Sequence, residues 1–281
     1  MRSSNLSQIF QRQWDVVVIG AGPAGTVAAR QFALMGLNTL LVERQNWPRA
    51  KVCGGCLNGT AIVALESIGL NHVLQRCQAA PIDKFVVHSG KQTATVDLPA
   101  GLAVDRMQFD AALVDAAVEA GAEFLPATKA QVTNDPPDHS DSTDQAARNS
   151  AHREFYRHIK LSYGGDTELI RAAAVIAADG LGHPSLRELN EFQSIVADSA
   201  RIGLSVVADR MPASYRSGAI YMAVGRAGYV GMVATGGVRW NIAAAIDPAV
   251  IKAAVDPTHA INSILAEVGL PIPDVSATAA W

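Results

Sequence analysis

The residues with the clearest chemistry are Gly20-Ala21-Gly22-Pro23-Ala24-Gly25, three glycines in a G-x-G-x-x-G spacing. Each glycine has its own physical use. Gly20 permits a tight turn out of a strand, Gly22 lets backbone approach a pyrophosphate, and Gly25 lets the following helix pack close to a sheet. Pro23 suits a first helical turn, where its missing N–H costs nothing. The N-terminus of that helix offers free N–H donors and a positive dipole end to phosphates. Further on, Glu43 supplies a carboxylate that can accept from both hydroxyls of a ribose and would repel a 2′-phosphate. That combination points to FAD or NAD rather than NADP.

Such residues need elements to hold them. Trp14–Ile19 is an apolar run with three consecutive valines and reads as a strand ending at Gly20. A helix follows to near Gly36, and Thr39–Val42 reads as a second strand stopping at Glu43. This is the order of a dinucleotide-binding βαβ unit. Asn58 is placed to cap a helix that ends near Gly69, and residues 85–88 and 93–96 flank a hairpin turn. Asp105 and Gln108 have capping-box spacing before a helix over 107–120. Short strands are predicted at 123–125 and 129–132, then at 154–163 and 169–177. The non-alternating run 174–178 is expected to be buried on both faces. Four strands at 202–208, 218–224, 229–234 and 239–246, without long helices between them, suggest an antiparallel sheet.

These elements group into an N-terminal extension over 1–13, a dinucleotide-binding domain over 14–190 that lends strands around 82–98 to a second domain, and that second domain's sheet over 191–281. The polar stretch 133–152 reads as a mobile surface loop. With 281 residues, of which 49% are hydrophobic, there is ample material for such cores. A net charge of −3 gives no nucleic-acid surface. Three cysteines, Cys53, Cys56 and Cys77, make no disulfide framework. No apolar stretch approaches the ~20 residues of a membrane span, so a cytoplasmic setting is expected. Peripheral membrane contact remains compatible with the sequence, and the oligomeric state is left open.

Five separated segments together resemble one family. They are Gly20 to Gly25, Leu41-Val42-Glu43-Arg44, Lys51-Val52-Cys53-Gly54-Gly55, Asp105-Arg106-Met107-Gln108-Phe109-Asp110, and the run from Ala178-Asp179-Gly180 to Arg187. Gly228-Tyr229-Val230-Gly231-Met232 and Asn241-Ile242-Ala243 add a likeness to its substrate-domain sheet. The chain resembles the flavoprotein group that includes geranylgeranyl reductases and FAD-dependent aromatic hydroxylases built like p-hydroxybenzoate hydroxylase. The resemblance implies an α/β fold: a Rossmann-like FAD/NAD(P)-binding domain with a mixed antiparallel substrate-domain sheet. It implies that Gly20, Gly22, Pro23, Ala24 and Gly25 hold the FAD pyrophosphate and that Glu43 holds the adenosine ribose. Arg106 would lie near the pyrophosphate or ribityl chain, and Asp179-Gly180 would reach the same region or serve NAD(P)H. Arg44, Lys51, Cys53, Gly54, Gly55 and Val132 complete the implied cofactor set.

The segment Lys51 to Cys56 keeps three readings. It can be a backbone turn against the flavin ring, as the resemblance implies, a CxxC redox pair, or two buried thiols. A metal site lacks two further ligands. The seven histidines show no paired spacing, and His183 reads as a solvent-facing turn residue. No catalytic side chain is assigned, because in this family the flavin carries the redox chemistry. The implied activity is that of a FAD-dependent oxidoreductase reduced by NAD(P)H, acting on a small isoprenoid or aromatic molecule as an alkene reductase or a monooxygenase. A flavin halogenase is disfavoured, because neither a WxWxIP-type motif nor a guiding lysine is present. An inactive FAD-binding remnant and an NAD-only dehydrogenase are the rivals, the latter opposed by Arg106 and Asp179-Gly180. The family's third FAD motif does not occur before Trp281, so the chain reads as C-terminally truncated and its substrate sheet as incomplete. Tyr221, Met222, Tyr229 and Met232 lie in that sheet, where such residues are more often core than substrate contacts.

Overall fold

The computed structural model describes residues 6–134, 138–139, 155–236 and 239–275. Most of the expected mobile loop 133–152 and the C-terminal Trp281 lie outside them. In chain order the elements are α1 (Leu6–Gln11), β1 (Trp14–Ile19), α2 (Pro23–Leu34), β2 (Thr39–Val42), β3 (Cys56–Asn58), α3 (Gly59–Ser67), α4 (Asn71–Arg76), β4 (Ala80–Ser89), β5 (Gln92–Ala103) and α5 (Arg106–Glu119). There follow β6 (Glu123–Leu125), β7 (Lys129–Val132), β8 (Asp138–His139), β9 (Phe155–Tyr163), β10 (Asp166–Ala177), β11 (Ile202–Ala208), β12 (Ala219–Gly225), β13 (Gly228–Ala234), β14 (Trp240–Ile246), α6 (Pro248–Ala253) and α7 (Pro257–Glu267).

The chain forms two compact units, Met1–Arg49 with Asp110–Ile195, and Ala50–Phe109 with Val196–Trp281. In the first, the sheet order is β6-β2-β1-β10-β9-β7, with β8 added on β9. β6, β2, β1 and β10 run parallel, β9 runs antiparallel to β10, and β7 runs antiparallel to β9. Val16, Val18, Leu41 and Val114 pack on one face, and Val17, Ile19 and Leu40 on the other. That two-sided burial explains why β1 and β2 are continuous apolar runs. The prediction that 174–178 is buried on both faces is not met. Ala174 is exposed and Val175 to Ala178 are half-buried. The reason is register: β9 pairs with β10 only as far as Ala172, so the rest of β10 has a neighbour, β1, on one side only.

The polar N-terminal extension also does more than its composition suggested. α1 docks through Ile9, which is buried, and Phe10, which stacks on Tyr163 at 5.0 Å. Trp14 Nε1 donates to the Ile9 carbonyl at 3.2 Å.

In the second unit the order is β11-β14-β13-β12-β4-β5-β3. The four strands predicted from 202 to 246 are present as β11 to β14, three of their four pairings antiparallel in register. β12 then pairs parallel with β4, making the sheet mixed. That long-range pairing places all of 50–109 in this unit, beyond the strands around 82–98. One face is covered by α7, whose Ala260, Ile261, Ile264 and Leu265 pack with Val206, Val230, Met232, Trp240 and Ile242. Met232 and Tyr221 are therefore core residues.

Close packing of α2 fixes the first unit. A Cβ on Gly25 would stand 2.0 Å from the Gly20 carbonyl oxygen and 3.1 Å from Ala178 Cβ. Gly25→Ala is expected to cost about 1–3 kcal/mol through forced backbone shifts, read as a lowered denaturant midpoint in chemical unfolding with the slope unchanged.

Candidate cofactor site

The first unit brings four strand and helix ends together. Gly22 is the N-cap of α2, with Pro23 at its first turn and no side chain capping it. Its opening N–H groups are thereby left to a ligand. The turn is tied down from beneath: Thr26 Oγ1 donates to the Gly22 carbonyl at 2.9 Å, and Gly20 N donates to Val42 O at 2.8 Å. Asp179 arrives from the end of β10. The position of a Cβ on Gly20 lies 2.8 Å from Asp179 Cα, so the two strand ends touch. Asp179 Oδ2 accepts from Ser185 N at 2.7 Å. Its Oδ1 is buried without a partner among the described residues, as is Ser185 Oγ. A buried carboxylate oxygen left unpaired costs free energy, and a hydroxyl-bearing ligand would relieve it. The residues present fit a group that combines phosphates and hydroxyls.

Glu43 is held more tightly than its sequence position indicated. Only 5% exposed, it accepts from Ala21 N at 3.1 Å, from Gln45 N at 3.0 Å and from Arg49 Nε at 3.1 Å. Three of about four lone-pair positions are thus taken by the protein. Arg49 in turn donates through Nη1 to Asp110 Oδ2 at 2.9 Å, and its guanidinium lies 5.3 Å from the Trp47 ring centre. Arg49 Nη2 is the nearest atom, at 3.8 Å, to where a Cβ on Gly22 would be. A guanidinium thus borders the phosphate-type turn.

Sequence reading assigned no role to Arg49 or Asp110. For Asp110 a signal existed: it shares a helical stripe with Leu113, Val114 and Ala117, and an acid on an apolar stripe needs a buried partner. For Arg49, in a loop, there was no periodic signal. Of the other expected residues of this unit, Ala24, Arg44 and Gly180 are exposed. Val132 is 3% exposed within the apolar core beside Ile159 and Leu161, so its side chain is not brought to the turn.

The second unit holds the remaining set. Asn241 Nδ2 donates to the Cys53 carbonyl at 2.9 Å, tying the 51–56 segment to β14. Val104 N donates to Gly55 O at 2.7 Å. Gly55 adopts φ +69, and a Cβ there would lie 2.8 Å from Val104 O, so the residue must be glycine. Cys53 Sγ accepts from Gly55 N, and the Cys56 thiol donates to Gly54 O at 3.5 Å. Desolvation, and then the neighbouring Cys53, push the Cys56 thiol up to about 11. A thiol held protonated at neutral pH is a poor redox nucleophile. Lys51 and Gly54 are exposed and Arg106, the first residue of α5, is half-buried. Asp105 caps α5 by accepting from Met107 N at 2.9 Å, and Arg239 Nη2 pairs with its Oδ2 at 3.1 Å.

Residues 13–279 match the family described as FAD binding domain. The chain belongs to this family. Among its curated relatives, menaquinone reductase of Mycobacterium tuberculosis is 30% identical over 187 residues, covering 62% of this chain and 40% of that protein. Digeranylgeranylglycerophospholipid reductase of Methanosphaerula palustris is 31% identical over 178 residues, covering 61% and 40%. The matched part of the chain thus spans well under half the length of these relatives. A flavoprotein/dehydrogenase from Cytophaga hutchinsonii has the same fold, with a TM-score of 0.71 at 20% identity over 92% of this chain and 62% of that one. No helix among the described residues is long and apolar enough to cross a membrane.

Two outcomes follow from the geometry of the FAD-family loop. Alkylation of Cys56 in the unaltered chain, located by fragment-ion mass spectrometry, is expected to keep accelerating well above pH 9, because its thiolate forms only near its raised value. Removing the Asn241 amide (Asn241→Leu) leaves the Cys53 carbonyl without its donor; about 1–3 kcal/mol is lost, and amide exchange at 54–56 accelerates.

Proposed function

We propose that the chain is the FAD-binding part of a reductase that saturates a carbon–carbon double bond of an isoprenoid lipid, with NAD(P)H as electron source. The observation that carries the FAD reading is the partnerless, buried Asp179 Oδ1 beside the uncapped start of α2. Donors for phosphate and an acceptor for hydroxyls stand at adjoining strand ends, as a diphosphate joined to a polyol requires. Bound FAD supplies two-electron redox chemistry that no side chain here provides.

The protein's own part is to bind and orient. N–H groups opening α2 bind the pyrophosphate, and Asp179 accepts from a ribityl or ribose hydroxyl. Arg49 adds a cation at the Gly22 turn. Glu43, with one lone-pair position left, accepts from an adenosine ribose hydroxyl while it braces Ala21 and Arg49. Gly54 and Gly55 present backbone on which a flat ring can lie, held by Asn241.

The isoprenoid reading is supported by the names of the two reductases above and by the second sheet. Register puts Phe85, Val87, Ile220, Met222 and Gly231 on the face away from α7, all half-buried. That face is apolar and suits a hydrocarbon chain. A protonated Cys56 thiol favours the backbone-turn reading of 51–56 over a redox pair.

Titrating the purified chain with FAD should give a protein-bound flavin band. Under anaerobic conditions NADPH or NADH should then bleach it, and a geranylgeranyl lipid should gain one H2 per double bond by mass spectrometry. Absence of any flavin binding defeats the proposal. Oxygen consumption with a hydroxylated aromatic product would replace the reductase reading by a monooxygenase.

A further inference from the structure

We propose that Asp110 is a positioning residue for the cofactor: it aims the Arg49 guanidinium at the phosphate-binding turn. The inference rests on the FAD reading above and adds a residue outside the glycine turn. Asp110 is completely buried, and Glu43 and Arg49 are 5% and 8% exposed. An arginine with this little water around it adopts the direction its partners dictate. Glu43 Oε2 takes Nε at 3.1 Å and Asp110 Oδ2 takes Nη1 at 2.9 Å. With those two edges of the planar fork fixed, Nη2 is directed by geometry alone, and it is the atom that stands 3.8 Å from the Gly22 Cβ position. Trp47 beneath the guanidinium restricts its tilt.

The charge arithmetic sharpens the point. Two carboxylates on one guanidinium leave the cluster with an excess negative charge, which by Coulomb's law alone opposes an incoming phosphate. If charge were what mattered, removing the Asp110 charge would tighten phosphate binding. If direction matters, removing it lets the fork rotate and weakens phosphate binding. The two readings predict opposite signs for one isosteric substitution. Asp110 therefore acts through Arg49 rather than by touching the ligand.

The test measures the preference for ADP over adenosine by calorimetric titration of the whole chain, with FAD titrated in parallel. Asp110→Asn is expected to lower the ADP-over-adenosine preference about tenfold, the worth of one charge-assisted hydrogen bond, while adenosine affinity stays as in the wild type. A merely structural defect would weaken adenosine equally. Should Asp110→Asn not fold, Arg49→Lys keeps a cation between the two acids but loses the fork, and the same loss of preference is expected. An unchanged or raised preference in the variant, with FAD still bound by the wild type, overturns the positioning role and leaves the FAD reading standing. A wild type that binds neither FAD nor ADP overturns both.

Discussion

Everything in the first unit depends on the contact of the α2 turn with the ends of β1 and β10. Gly25 brings the helix to van der Waals limit against the Gly20 carbonyl, and Gly20 leaves no room for a side chain beside Ala178. Close approach makes the uncapped helix start and the end of β10 neighbours. It therefore sets Asp179 next to the N–H groups of α2, and it directs Ala21 N onto Glu43. A methyl group at either glycine would separate donors and acceptor together, because the same backbone carries both.

Beneath that turn lies the most expensive feature of the unit. Glu43, Arg49 and Asp110 are all buried, and removing each charge from water costs several kcal/mol before any attraction is counted. An apolar trio would fill the same space at no such cost. What the ionic trio provides is direction: a planar donor fixed on two edges and presented on the third. Its members come from the end of β2, the following loop and the second turn of α5, so the cluster also joins segments far apart in sequence.

In the second unit the corresponding constraint is the link from Asn241 to the Cys53 carbonyl. It works on backbone, as does the Gly55 conformation, and the thiols take secondary parts: one accepts from Gly55 N and the other turns to Gly54 O. The loop's cysteines thus owe their place to the local fold of a glycine pair. The sheet they border divides its work by face. α7 seals one side with aliphatic packing and the Tyr215–Tyr221–Trp240 cluster, and the other keeps small and apolar residues half-open.

Sequence alone determined the local elements and the chemistry of the turn. Valine runs, a glycine spacing and cap residues act over a few positions, and β1, α2, β2, α3, α5 and β11 to β14 all occur where those signals placed them, within a residue or two. Family membership was legible for the same reason, since its marks are short segments. Tertiary structure decided what depends on distant partners. The parallel pairing of β4 with β12 drew residues 50–109 into the second unit, the end of β9 pairing at Ala172 left the last residues of β10 half-open, and Val132 went into the core. Above all, the partners of Glu43 were decided by folding. No spacing rule reports that an arginine from a loop will be shared between Glu43 and an aspartate from a helix 61 residues later, because buried charges are paired by three-dimensional proximity and not by sequence distance.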